Sequence, residues 1–390
     1  NFDYSPVNNP PSEQVPPGTI YNWTVSSNPN IVGASSGSGS SISDTLVNLA
    51  SSSQNVIYTV VPTVNGCDGE PFEVTITVVP GVLLPDYTQT ICNGGSINFS
   101  PQNNPPTVII PSGTTYSWTV VDNPNVIGES SGIGLAVTDT LTSSLNTPMQ
   151  SVTYSVVGQS GSSCGSDTFN LTININTISI PTIDSNQTVC SGGDPDPLTF
   201  SSLPVGAGNL SYQWQSTTSL SGVFTNLIGD TLPTYNPPAG LLNTTYYRVL
   251  VYSEVGGVYC GEYSNVVTIS VNDFTIPVIS SDQTICSGDD PSVIGLTDSL
   301  ISSGVLSYQW QSSNTITGPF GAILNDTSTT FDPAATLSNT YYQLVATSIL
   351  NGVACSNNSN TVSIVVNEVF APNLIIDQIL CVGGDPNPIF

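Results

Sequence analysis

The sequence contains no histidine, a single basic residue (Arg248) and a single methionine (Met149), while 27 acidic residues leave a formal charge of −26. Each scarcity excludes something. Nucleic-acid binding needs Lys and Arg to displace counterions from phosphate, and an anionic membrane surface needs the same cations. Without histidine there is no Ser-His or Cys-His nucleophile pair. One guanidinium cannot build an oxyanion or phosphate clamp. Runs of about 18 apolar residues, the length that spans a bilayer as a helix, do not occur. No secretory leader stands at the start, so the chain reads as a segment of something longer. The reading is therefore of a protein that is not an enzyme, does not bind nucleic acid and does not insert into a membrane.

Charged residues make up only 7% of the chain, so Ser, Thr, Asn and Gln must meet the solvent. Plentiful, patterned Val, Ile, Leu and Tyr set it apart from a disordered composition. The eight cysteines form no CxxC and have no histidine beside them, which argues against zinc. Regularly spaced cysteines in a strand-rich chain argue for disulfides and an oxidising compartment.

The spacing is regular indeed. Trp23, Trp118, Trp214 and Trp310 lie 95, 96 and 96 residues apart. Cys92, Cys190, Cys286 and Cys381 lie 98, 96 and 95 apart, and Cys67, Cys164, Cys260 and Cys355 lie 97, 96 and 95 apart. Self-similarity at a fixed period marks a repeat architecture. The predicted units are 1–80, 81–177, 178–273 and 274–369, with 370–390 opening a fifth. Residue 1 aligns with about residue 98, so the first unit lacks its A strand and its first cysteine.

Two subtypes are visible. Units one and two share YNWTVSSNPNIVGASSGSG (21–39) and YSWTVVDNPNVIGESSGIG (116–134); units three and four share LSYQWQS (210–216, 306–312) and the pair TTYYRVLV (244–251) and NTYYQLVA (339–346). Apolar–polar alternation in NVVTISV (265–271) and NTVSIVV (360–366) predicts half-buried strands, punctuated by Gly, Pro, Asn and Asp. No helical periodicity is sustained. About seven short strands in about 95 residues predict an immunoglobulin-like β-sandwich. Lettered in that scheme, Cys190 ends strand A, Trp214 points into the core from C, 246–251 is F and 265–271 is G. The four tryptophans are read as core aromatics.

The A strand runs down the sandwich and F runs up, which puts the two cysteines of one unit at opposite poles. A strand of about ten residues spans roughly 33 Å, while a disulfide needs Cα atoms within about 7 Å. End-to-end stacking instead brings Cys92 towards Cys260 and Cys190 towards Cys355, as staples across the joints. Cys67 and Cys164 would then pair with units before them, Cys286 and Cys381 with units after. A shorter or differently placed A strand would favour the intra-unit set Cys92–Cys164, Cys190–Cys260 and Cys286–Cys355.

The acidic words GGDPDP (with Asp194 and Asp196) and SGDDP (with Asp289 and Asp290) read as Asp-Pro turns. No cofactor is expected: calcium is the one ion such oxygens could take, and unit two has NGGSIN at the same place with no acid. Tyr252, Tyr259 and Tyr263 are the only clustered candidates for a sugar-stacking platform.

The words QTVCSGGDP (187–195), LSYQWQS, TTYYRVLV and YSNVVTISV resemble the Ig-like repeats of giant surface adhesins of Bacteroidota. YSWTVVDNPNVIGESSGIG and VTYSVV (152–157) resemble the PKD-like domains of the same proteins, among which the SprB-type gliding-motility adhesins stand out. The resemblance covers essentially the whole chain. It implies an all-β tandem array of Ig-like/PKD-like β-sandwich domains forming an extended rod or filament. It also implies secretion by the type IX system, display at the outer-membrane exterior, and a role in adhesion and gliding. The partners implied are neighbouring repeats of the same longer chain, the anchoring and motility machinery, and a surface polysaccharide or substratum. Asp-Thr words in all four units resemble the O-glycan sequon of Bacteroidota and would place glycans on Thr45, Thr140, Thr231 and Thr327, with Ser299 a further match. A glycan-binding module array and a homopolymeric fibre built by strand donation are the competing readings.

Overall fold

The computed structural model describes residues 1–8, 14–144, 148–161 and 165–368. Within these residues the elements are strands, and no helix is long and apolar enough to cross a membrane. The strands gather into four successive groups, each a large sheet faced by a small one.

The second group shows the plan most fully. Its A strand, Tyr87–Cys92, runs parallel to the G strand, Gly165–Asn176. G pairs antiparallel with the F strand Met149–Gln159, F with the C strand Thr115–Val120, and C with Gly132–Gly134. The facing sheet is Gly95–Phe99, Val137–Ser143 and Val126–Ile127. Alternation along F and G sends Val152, Tyr154, Val156, Phe169, Leu171, Ile173 and Ile175 into the core, each no more than 2% exposed. Fully burying an aliphatic or aromatic side chain of this kind contributes about 1.5–3 kcal/mol.

Groups three and four repeat the plan. A strands Gln187–Cys190 and Gln283–Cys286 lie parallel to G strands Val267–Asn272 and Val362–Asn367. Those G strands pair with the first residues of long F strands, Thr245–Val255 and Thr340–Leu350. Here the structure corrects the strand reading. The sequence reading ends F at residue 251 and resumes with G at 265, so Cys260 falls between the two strands. It sits instead on a separate return strand, Val258–Tyr263, which pairs with the upper half of F before the chain crosses to G. Val353–Asn358 does the same in group four and carries Cys355. Both hairpins close on two residues with positive φ, Gly256–Gly257 (59° and 82°) and Asn351–Gly352 (49° and 84°). That is the type I′ turn, whose twist matches the strands it joins.

Group one has the F strand Gln54–Val64 and the G strand Phe72–Val78. Among the described residues its G strand pairs with F alone. Phe72, Val74, Ile76 and Val78 are half-buried, where their counterparts Phe169, Leu171, Ile173 and Ile175 are sealed. A cavity of about 600 Å³ opens over Phe72, lined also by Tyr4, Val15, Tyr21, Pro62 and Val64. In group two Tyr87, on the A strand, stacks edge-on against Phe169 at 5.9 Å.

The tryptophans occupy one register. Trp23, Trp118, Trp214 and Trp310 stand opposite Val60, Val156, Val249 and Leu344 of the F strands. Trp214 and Trp310 are fully buried and Trp118 nearly so, but Trp23 is only half-buried. Each indole N–H donates to a backbone carbonyl 3.0 Å away: Ser35, Ser130, Leu232 and Ser328 respectively. In the first two groups the ring also lies against a glycine. A Cβ on Gly37 or Gly132 would come within 2.8 or 2.7 Å of it, which explains the SSG word of both.

Candidate functional site: the joints between units

The chemistry of the chain concentrates where one group meets the next. The A strand of the second group ends at Cys92, which is bonded to Cys260 on the return strand of the third, with Cα atoms 5.3 Å apart. Cys190 is bonded in the same way to Cys355, at 5.7 Å. Both pairs fall within the range that an unstrained bridge requires. Cys190 and Cys260 therefore have separate partners. Cys67 and Cys286 are free and exposed. Cys164 and Cys381 lie outside the described residues.

Beside each disulfide lies a polar contact that the sequence reading missed. A and G end together, so Cys92 is in register with Asn176 and Cys190 with Asn272. Both asparagines are buried, at 0% and 1% exposure. Asn176 donates to the Ser253 carbonyl (2.9 Å) and accepts from the Ser253 hydroxyl (3.1 Å). Asn272 donates to the carbonyls of Ser348 (2.8 Å) and Val353 (3.0 Å) and accepts from the Ser348 hydroxyl (2.6 Å). Both serines are fully buried. Each also stands directly opposite the cysteine in its own hairpin, Ser253 to Cys260 and Ser348 to Cys355. Asparagine and serine thus satisfy one another across the joint, as buried polar groups must. The hairpin tip also reaches back along the A strand: Asn351 donates to the Thr188 hydroxyl (3.2 Å), and Gly256 lies beside Thr90. Phe274, Ala346 and Cys355 form a small apolar cluster around the later joint.

The A-strand word is explained piece by piece. Its glutamine pins the acidic turn: Gln187 exchanges hydrogen bonds with the backbone of Asp196, and Gln283 does so with Ser292. Its threonine meets the next hairpin tip, and its cysteine bonds to it. Among the described residues no three His, Cys, Asp or Glu side chains gather where they could hold a metal ion.

The Asp-Thr word has two structural meanings. In the first two groups the aspartate is a latch. Asp44 accepts from the backbone N–H and hydroxyl of Ser35 (3.0 and 2.8 Å) and from the Tyr58 hydroxyl (2.7 Å). Asp139 does the same with Ser130 and Tyr154. Burial alone would push the Asp44 carboxyl up, but the Tyr58 and Ser35 donors outweigh it and hold it below the usual carboxylate value. Tyr58 and Tyr154 are pushed above the usual phenol range, by burial first and then by the aspartate each one meets. In the later groups Asp230 and Asp326 instead use their backbone carbonyls to receive the backbone N–H groups of Trp214 and Trp310. The hydroxyls that follow or match the word, Thr45, Thr140, Thr231, Thr327 and Ser299, are all exposed.

Of the tyrosines read as a sugar platform, Tyr263 lies over the Arg248 guanidinium at 4.0 Å, with Phe224 at 4.2 Å on the same group. Tyr252 lies half-buried against Gly261. Tyr259 is 62% exposed beside Cys260.

The chain is an all-β tandem array of β-sandwich units. Residues 4–82 and 89–178 match the PKD-like domain, while 179–273 and 276–368 match a domain of unknown function, DUF8696. Among solved structures, Drosophila N-cadherin EC1-4 is 10% identical over 89% of this chain and 92% of that chain, with a TM-score of 0.27. Sidekick-1 immunoglobulin domains 1-4 are 13% identical over 90% and 91%, with a TM-score of 0.28. A titin I-band fragment is 10% identical over 73% and 97%, with a TM-score of 0.34. No curated protein matches the chain.

Proposed function

We propose that the chain is part of the shaft of a secreted, cell-surface adhesin filament of the gliding-motility type, acting by mechanical display and not by catalysis. It takes each repeat to be one domain with the boundaries 1–80, 81–177, 178–273 and 274–369. The filament stands outside the outer membrane of a Bacteroidota cell, held by anchoring and motility machinery, and touches a polysaccharide or substratum. Exposed Thr45, Thr140, Thr231, Thr327 and Ser299 carry its O-glycans. An intact mass equal to the bare sequence in natively secreted material would remove the glycans from this reading.

One observation carries the mechanical reading: the two disulfides interleave. In chain order the bonded positions run 92, 190, 260, 355, and they pair first with third and second with fourth. A pull on the ends therefore need not pass through every residue. The shortest covalent route runs from residue 1 to Cys92, crosses to Cys260, returns to Cys190, crosses to Cys355 and continues. That route holds about half of the chain, at no more than 3.3–3.6 Å per residue. Intra-unit bonds would shorten each domain separately and leave every joint to yield. Interleaved bonds hold joint and domain together, as a filament under tension requires.

Single-molecule extension between residues 1 and 390 tests this. Fully unfolded and reduced, the chain extends to roughly 1,300–1,400 Å. Oxidised, it stops near half that value. Equal final extension in both states would refute the interleaved shaft.

A further inference from the structure

The described part of unit four ends in the same arrangement that fills the two joints before it, but with nothing bonded there. Its A strand Gln283–Cys286 lies parallel to its G strand, and Cys286 is in register with Asn367. This is the pairing of Cys92 with Asn176 and of Cys190 with Asn272. Even the bond closing the A strand recurs: Ser287 donates to the Asn367 carbonyl (3.1 Å), as Asn93 does to Asn176 and Ser191 to Asn272 (both 3.2 Å). Thr284 stands where Thr90 and Thr188 meet a hairpin tip. What differs is exposure. Asn176 and Asn272 are sealed, while Asn367 and Cys286 are both exposed.

From this we infer that Cys286, Asn367 and Thr284 form an open docking site for the F-strand hairpin of one further unit of the type of units three and four. The hairpin it takes is defined by chemistry: a type I′ turn, with a serine on the outgoing arm directly opposite a cysteine on the return arm, seven residues later. Ser253 with Cys260 and Ser348 with Cys355 are the two instances in this chain. Cysteine alone does not specify the partner. Unit one shows why: Cys67 also sits on a return strand, but opposite it is Val64, which offers asparagine no hydroxyl. An asparagine docked there would still find backbone carbonyls for its N–H groups but would leave its Oδ1 buried with no donor, which disfavours the docked state. The serine thus makes the site selective for one hairpin subtype. The inference rests on the shaft reading, since it extends the same joint by one step. Bond formation there follows thiol–disulfide exchange: the Cys286 thiolate attacks the hairpin cysteine's mixed disulfide with glutathione, the new S–S bond forms, and glutathione leaves as thiolate.

A lengthened chain tests the site with every present unit intact. Residues 1–368 are followed by a second copy of 274–390, which joins Glu368 to Phe274 as Asp273 joins it naturally. The chain is refolded in a glutathione buffer and its disulfides are mapped by mass spectrometry. Cys286 bonded to the appended copy of Cys355, with the two existing staples unchanged, is the expected result. Asn367→Val should then lower the equilibrium yield of that third bond about tenfold against glutathione. So should Ser348→Val made in the appended copy alone. A Cys286 that stays alkylatable while both existing staples form would overturn the inference and leave the interleaved shaft standing. A third bond that forms equally well in both valine variants would overturn the assigned selectivity.

Discussion

Units one and two share a tryptophan stacked on glycine, a serine–aspartate–tyrosine latch and a matching second sheet, yet they differ along one edge. In unit two the A strand covers G, and Phe169, Leu171, Ile173 and Ile175 are sealed. In unit one G has no A strand beside it among the described residues, and Phe72, Val74, Ile76 and Val78 stay half-buried. The next residue differs as well. Asn176 is buried and holds Ser253 of the following unit, while Val79 at the same place is 39% exposed. The A strand therefore has two tasks. It closes its own unit's core, and its last residue, with the end of G, holds the unit that follows.

The comparison breaks most sharply at Ile91. This A-strand residue is 6% exposed and belongs to the core of unit two. Ile91→Ala should destabilise that unit by about 2–5 kcal/mol, the usual cost of emptying a buried aliphatic site. Hydrogen exchange should then show Phe169–Ile175 protected no better than Phe72–Val78. If protection of Phe169–Ile175 survives, A is not what seals the edge. Asn176→Val comes next. It writes the residue of unit one into unit two and leaves the Ser253 groups without their partner, for about 1–3 kcal/mol. With the disulfides reduced, calorimetry should resolve units two and three as separate transitions in this variant and as a coupled one in the parent. Val79→Ala, which removes half-exposed methyls only, should change the same trace by less than about 1 kcal/mol.

Much of this was legible in residue spacing, and the reason is physical. The tryptophan and the two cysteine positions of the repeat are costly to misplace, so they keep the period where the loops do not. Strand polarity then constrained which cysteines could meet. Three features were not legible. The split of G into a return strand and a closing strand depends on where F outruns its partner, and alternation alone does not mark that. The clamp asparagines looked like ordinary strand-end residues in ININT, SVND and VVNE. Their signal was weak but present: an asparagine at the close of G in units two, three and four, where unit one has Val79. The Asp-Thr word was read as one motif, yet it serves two purposes. In units one and two the F-strand tyrosine, Tyr58 or Tyr154, bonds the aspartate; in unit three Tyr247 packs on Tyr235 instead.

The smallest expected effect concerns that latch and is read in acid. Asp44 titrates below its usual value in the folded chain because the Tyr58 and Ser35 donors outweigh burial. A carboxylate with a depressed folded pKa contributes stability that is fully present above its unfolded value, about 3.9. That contribution is lost as the pH falls through the folded value. Unit one should therefore hold its stability from neutral pH down to about 4 and lose it progressively below. Tyr58→Phe removes the strongest of the opposing donors, so the folded and unfolded values should draw together and the acid slope of unit one should flatten. The tyrosine hydroxyl is the only group lost, and the ring keeps its 5.5 Å contact with Phe2, so packing should be preserved. An unchanged slope in that variant would show that Ser35 alone sets the charge of the latch.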